Sequence, residues 1–241
     1  MKILVAFGCS HTHGSMIDGK DGSSEYNIRN GFPGMFAKRN GYQLINISKP
    51  GGSNQYIHRQ VIEFITGHMN PSHEYLFLIG WTSSNRIELR YPDYEDHTYH
   101  TLGDYQDRKY VAFSQGTSPN VFHTDPIKKL LDFTPLFLDT SAMETKWAAY
   151  ACSLQNILYS KGIPYLMHNT CTELRKNHMN NDIVHAIDTT YYPHHTNKKM
   201  CMVQYLLDKK VPKTECWHFQ KEGHAMWADK LSLWANQAGL V

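Results

Sequence analysis

The sequence predicts an α/β fold with a central parallel sheet covered on both faces. Two observations carry this expectation. Four short apolar runs, Ile3–Phe7, Tyr42–Ile47, Tyr75–Gly80 and Ile163–His168, have the length and composition of buried strands. Between and after them lie segments whose apolar residues recur at helical spacing. Strands alternating with helices favour parallel pairing, because a crossover helix must return the chain to the same end of the sheet. At 241 residues, with 41% hydrophobic residues, the chain is long enough for one well-buried domain, 1–241.

The elements follow in order. After the first strand, Gly8 permits a sharp turn. His11 to Asn30 is polar and glycine-rich and reads as a loop over the carboxyl edge of the sheet. Phe32 to Lys38 reads as a short helix, with Pro33 tolerated in its first turn. The second strand leads into Lys49-Pro50-Gly51-Gly52-Ser53-Asn54, a strand-to-helix turn. Ser53 or Asn54 is positioned to cap a helix whose Ile57, Val61, Ile62 and Ile65 share a face. The third strand ends at Gly80.

Residues 88–141 do not read as βα units. There Tyr91, Tyr94, Tyr99, Tyr105 and Tyr110 are interspersed with acids and histidines, which suggests an insertion or cap beside the carboxyl edge, with a protein partner as one possible occupant. Ala142 to Lys161 reads as a helix ended by Gly162. Glu173 to Asn180 and Lys198 to Leu207 have helical character, and Asp182 to Ile187 fits a short strand or a short helix. Gln220 to Ala238 is the closing helix, with Trp227, Leu231 and Trp234 on its core face.

Composition excludes several classes. A formal net charge of +2 gives no strong pull toward nucleic acid or an anionic membrane. No apolar run approaches bilayer-spanning length, and the amino terminus lacks the pattern of a signal peptide, so the expected setting is cytoplasmic. Five scattered cysteines (9, 152, 171, 201 and 216) without a CxxC pair argue against a disulfide framework and a zinc ribbon. Cys9, His11, His13, His194 and His195 offer soft and imidazole ligands, but not at structural-zinc spacing. Neither a metal nor a cofactor is expected.

Ser10 falls just past the first strand, at the edge where α/β sheets bind ligands. A serine nucleophile needs a base, and the base an orienting acid. Glu215-Cys216-Trp217-His218 supplies both residue types near the other end of the chain. Singly, Ser10 reads as a helix-capping serine and His218 as a packed loop histidine.

Taken together, Gly8-Cys9-Ser10 after the first strand and Glu215-x-x-His218 before the last helix resemble the SGNH, or GDSL-type, hydrolases. Cys9 stands where that family usually has Asp, and Glu215 where it has Asp. The resemblance implies a flavodoxin-like α/β/α sandwich and a triad of Ser10, His218 and Glu215. It also implies an oxyanion hole from the N–H groups of Ser10 and Gly52, with Thr82 or Asn85 as a third donor. Thr82 stands where the family's third block has Asn. His11, Asn54, Trp81 and Trp217 neighbour these blocks and are the candidate substrate contacts. The expected activity is hydrolysis of a small-molecule or glycan ester, such as an acetylated carbohydrate. The alternative is a binding or structural subunit on the same fold. The divergent blocks are similar to SGNH-like proteins encoded by bacteriophages, which implies a virion-associated setting as the other localisation.

Overall fold

In a computed structural model of the chain, residues 1–17, 25–90, 110–114, 139–175 and 181–241 are described. Four parallel strands form the central sheet: β1 (Lys2–Phe7), β2 (Gln43–Asn46), β3 (Glu74–Trp81) and β6 (Tyr165–Asn169), in the order β2-β1-β3-β6. Val5 is in register with Ile45 on one side and Phe77 on the other, and Phe77 with Tyr165. All four strands were expected, each with bounds shifted by one or two residues.

Side-chain alternation explains why both faces are covered. Ile3, Val5, Phe7, Tyr75, Phe77, Ile79, Tyr165 and Met167 point to one face. There they pack on α4 (Asn54–Gly67) and α5 (Thr140–Ser160) through Ile57, Val61, Phe64, Trp147, Ala151 and Leu154. Leu4, Leu76, Leu78 and Leu166 point to the other face. They meet α3 (Phe32–Arg39), α7 (Met202–Asp208) and α8 (Lys221–Gln237) through Phe36, Leu206, Trp227, Leu231 and Trp234. The result is the predicted α/β/α arrangement. Helix α4 begins with Ser53, whose hydroxyl accepts from the Tyr56 N–H at 3.0 Å, so Ser53 and not Asn54 is the cap.

Several expectations change. The stretch expected as a loop contains two helices, α1 (Ser10–His13) and α2 (Glu25–Asn30). Helix α1 has no apolar period because it is buried polar residues, and tertiary packing rather than propensity holds it. Residues 181–185 are helical, α6 (Asn181–His185), which decides between the two readings of that segment. Residues 172–175 carry no helix, and 176–180 lie outside the described residues.

Of the expected insertion, β4 (Arg86–Arg90) and β5 (Tyr110–Ser114) are described and pair antiparallel. Residues 91–109 and 115–138 lie outside the described residues. The buried Glu88 carboxylate in β4 meets Arg59 of α4 at 2.7 Å, and Arg59 also holds Glu63 at 2.8 Å. This network ties the hairpin to the main domain; its Arg59 and Glu88 side chains are largely removed from water, so removing one partner would leave a poorly solvated charge. Among the described residues no helix is long and apolar enough to cross a membrane.

Candidate active site at the carboxyl edge of the sheet

The turn after β1 is built by close approach. A Cβ on Gly8 would sit 2.1 Å from Thr12 Oγ1, and a Cβ on Gly80 would sit 2.6 Å from the same atom. Both glycines therefore let Thr12 drop over the ends of β1 and β3, which sets α1 across the sheet edge. Ser10 opens this helix and is 8% exposed. Its carbonyl accepts from the Gly14 and Ser15 N–H groups at 3.1 and 3.0 Å, and Gly14 closes the helix in a left-handed conformation.

His218 reaches the same place from near the end of the chain. A bridge between Lys213 and Phe219 closes a tight loop. Within it the Thr214 N–H donates to the His218 carbonyl at 2.8 Å, and the His218 N–H donates to Thr214 Oγ1 at 3.1 Å. Trp217 takes a positive φ of 65° to make the turn, a conformation that non-glycine residues seldom adopt. The His218 ring then lies tilted against His11, with centroids 4.8 Å apart. Its Nε2 is buried and has no hydrogen-bond partner among the described residues. Burial chiefly, and then the neighbouring His11, lower its pKa to about 4, so the ring is neutral at neutral pH. Burial likewise lowers the pKa of His11.

The structure brings His11, the residue after Ser10, against His218, and forms no hydrogen bond between Ser10 and His218. Glu215 sits exposed on the loop and makes no contact with the imidazole. The atom beside His218 Nδ1 is Cys216 Sγ, at 3.2 Å, which also lies 3.1 Å from Thr214 Oγ1. A thiol thus occupies the place expected for the acid.

The remaining expected site residues divide. The Gly52 N–H donates to the Lys49 carbonyl at 2.9 Å within its turn, so it is committed there and not to an oxyanion. Asn54 is buried and locks the backbone of Thr82 in both directions, accepting from its N–H at 2.8 Å and donating to its carbonyl at 3.2 Å. It positions a loop and does not contact solvent. Trp81, expected as a substrate contact, is fully buried in the core, because it continues the alternation of β3. Trp217 is 54% exposed, with Lys213 Nζ 3.7 Å above its ring. Thr82 Oγ1 lies 3.6 Å from Cys171 Sγ. Asn85 lines a polar cavity of about 450 Å³ with Ser83, Cys171, Glu173 and Arg175. A larger cavity of about 860 Å³, over α2, α3 and β2, contains none of these residues.

Sequence reading missed Cys171, Arg86 and Cys216. Cys171 follows β6, with Thr82 Oγ1 3.6 Å from its Sγ, and its thiol and that of the fully buried Cys9 act on each other's ionisation. Arg86 opens β4, donates to the Gly52 carbonyl at 3.4 Å, and its charge acts on Cys9, His11, Cys171 and His218 alike. Cys216 stood in the quoted motif; its place between Glu215 and His218 was the available signal. The others had none, because only the folded sheet edge collects them.

The sequence matches a family described as a family of unknown function (DUF6071) over residues 16–240. The chain belongs to that family. The match takes in His218 and begins after Ser10. Comparison with curated proteins gives no match.

Among solved structures, the chain is similar to a member of the lipolytic protein G-D-S-L family from Veillonella parvula DSM 2008, at 11% identity over 97% of each chain with a TM-score of 0.43. It is similar to the psychrotrophic esterase EstA from Pseudoalteromonas sp. at 8% identity, covering 98% of this chain and 97% of that one, with a TM-score of 0.43. A carbohydrate esterase family 2 enzyme with a carbohydrate-binding domain, from Corynascus thermopiles (Myceliophthora fergusii), matches at 11% identity, covering 99% of this chain and 67% of that one, with a TM-score of 0.48.

Proposed function

We propose that the protein hydrolyses an ester, with Ser10 as nucleophile and His218 as its base. The observation that supports this reading is the contact of the His218 ring with His11, the residue after Ser10. The Lys213–Phe219 loop delivers a neutral, half-buried imidazole with a buried, unpartnered Nε2 to the sheet edge where Ser10 opens a helix. Ser10 attacks the ester carbonyl as His218 Nε2 takes its proton. The imidazolium then returns a proton to the leaving alcohol, and water releases the acyl group by the same route. The Ser10 N–H and Asn85 are the remaining candidates for the oxyanion, since Gly52 and Thr82 are engaged elsewhere. Catalytic hydrogen bonds in unliganded sites are often long and tighten with substrate, so the absent Ser10–His218 bond is compatible with this role. Arg86 favours an ester that carries negative charge. An acetylated carbohydrate is the substrate class to try first.

The test is hydrolysis of a short-chain aryl acetate by wild type, Ser10→Ala and His218→Ala. Each variant should lose roughly a thousandfold or more in kcat while staying folded. The wild-type rate should stay level from pH 8 down to about 6, where a free imidazole would already lose its basic form, because His218 has its pKa lowered to about 4 and acts as a base only when neutral. A second reading, a binding protein on the same fold, is favoured by the exposed Glu215 and the committed Gly52 N–H. It would stand if the wild type were inert and Ser10 also resisted a fluorophosphonate probe.

A further inference from the structure

We propose that the polar cavity lined by Asn85 is a subsite for a neutral sugar unit, with the Glu144 carboxylate accepting from one of the sugar hydroxyls. This deepens the ester reading by naming where the glycan part of the substrate sits. Its place in the fold is the first support. The cavity, of about 450 Å³, is walled by the residues that leave two neighbouring strands: Ser83 and Asn85 follow β3, and Cys171 and Glu173 follow β6. That edge is where α/β sheets take ligands, and the volume is in the usual range for a small-molecule site. Glu144 of α5 and Gln204 of α7 complete the walls.

The Glu144 side chain points to a ligand. It lines the cavity and is only 1% exposed. Its ion pair with Arg175 is lopsided: Arg175 Nε and Nη2 both donate to Oε1, at 2.6 and 2.5 Å. An arginine fork more often spans both oxygens of a carboxylate. Here Oε2 stays buried without a hydrogen-bond partner among the described residues, and so does Thr172 Oγ1 on the same cavity wall. A buried charged acceptor left unpaired is costly. A ligand hydroxyl donating to Oε2 removes that cost.

Charge selects the class of ligand. Two acids, Glu144 and Glu173, and two bases, Arg175 and Lys198, line the cavity, so its formal charge balances. An ammonium group at Glu144 Oε2 would meet Arg175 beside it, and a carboxylate or phosphate drawn by Arg175 would meet Glu144. The remaining polar walls include the hydroxyls of Ser83 and Thr172 and the amides of Asn85 and Gln204, which both donate and accept. A sugar hydroxyl does the same, donating to Glu144 Oε2 while accepting from a neighbouring amide or from Lys198. No aromatic ring lines the cavity among the described residues, so recognition runs through hydroxyls and not through ring stacking. The affinity should be weak accordingly.

The test reads binding and not turnover, so it can fail while aryl acetate hydrolysis stands, and stand while hydrolysis fails. The isotope-labelled full chain is titrated with the methyl glycosides of glucose, galactose, mannose, xylose and N-acetylglucosamine and followed by amide NMR. At least one should shift the amides of Asn85, Glu144, Thr172 and Gln204 saturably, and glycine and acetate should shift none of them. Glu144→Gln keeps the shape and an oxygen for Arg175 but puts a donor in place of Oε2. It should weaken binding roughly tenfold or more. Gln204→Ala leaves the Glu144–Arg175 pair intact and should weaken binding roughly threefold, which keeps the proposal open to test if the first variant does not fold. No saturable shift at these residues with any of the glycosides, or glycine or acetate binding there instead, would overturn the proposal. So would unchanged affinity in a folded Glu144→Gln or, failing that variant, in Gln204→Ala.

Discussion

The interior of the sheet and its carboxyl edge are built from the same strands but obey different rules. Within the sheet, Leu4, Val5, Phe77, Leu78 and Leu166 are fully buried and touch apolar helical side chains on either face. A few residues further along each strand, the chain buries His11, Thr12, Thr82 and His168. The hydroxyl of Thr12, the Nδ1 of His11 and the Nε2 of His218 have no hydrogen-bond partner among the described residues. Each such group costs on the order of 1–3 kcal/mol relative to a satisfied one. A fold tolerates that cost where polar groups are kept for chemistry or for a ligand. The interior supplies the stability, and the edge spends it — a division that mutation and pH can separate.

Acid should act on the edge first and with the largest effect. His168 sits against the Phe32 and Trp227 rings at centroid distances of 5.3 and 5.6 Å, and His224 stacks on Phe32. Burial lowers the pKa of each to about 3. In the unfolded chain both bind a proton below about 6.5. Between those values the unfolded state binds more protons than the folded one, so stability is full above pH 6.5 and falls as pH drops toward 3. Each imidazole contributes about 1.4 kcal/mol per pH unit inside that window, and the pair on the order of 5 kcal/mol by pH 4.5, comparable with the whole stability of a domain. Urea unfolding followed at pH 7, 6, 5 and 4.5 reads this directly. A flat midpoint would mean that these rings are not held neutral, and the contrast between edge and interior would fail.

The interior was the part legible in the sequence. Its four strands and the apolar faces of α4, α5 and α8 follow from alternation and helical spacing, since their packing partners are periodic in the chain itself. The edge was legible only where the chain order of its motifs resembles a known family. Ser10 and His218 are read in that way, and the structure sets His218 against His11, the residue after Ser10. Trp81 was assigned to substrate although the alternation of β3 sends it into the core. From His11 onward helix α1 reads as a loop in the sequence, because His11-Thr12-His13 has no apolar face. Cys171 and Arg86 carried no local signal, because their significance is a distance across the ends of three elements.

The interior should be insensitive to pH and sensitive to volume. Leu166 lies at 0% exposure in the helix layer of Trp227 and Leu231. Leu166→Ala should cost about 3 kcal/mol at pH 7 through lost burial and an incompletely collapsed cavity. The loss should be the same at pH 5 after the wild-type change is subtracted, because no ionisable group is created or removed. A loss that grows on acidification would show that Leu166 and the neighbouring His168 are coupled, and that edge and interior are one cooperative unit.

The smallest effect should come from the acid of the expected triad. Glu215 is exposed and has no contact with His218, whose Nδ1 faces Cys216 instead. Glu215→Gln keeps shape and removes charge. It should change stability by less than about 0.5 kcal/mol, as surface substitutions usually do, and should leave ester hydrolysis within a few-fold of wild type. Cys216→Ala removes the atom that touches the ring, and should lower kcat more than Glu215→Gln while leaving KM in place, because its action is to orient the base. The two rates, measured side by side on the same aryl acetate, decide which residue supports His218. A loss in Glu215→Gln as large as that in Ser10→Ala would mean that the loop closes Glu215 onto the imidazole when substrate is bound, and that the thiol is only its neighbour.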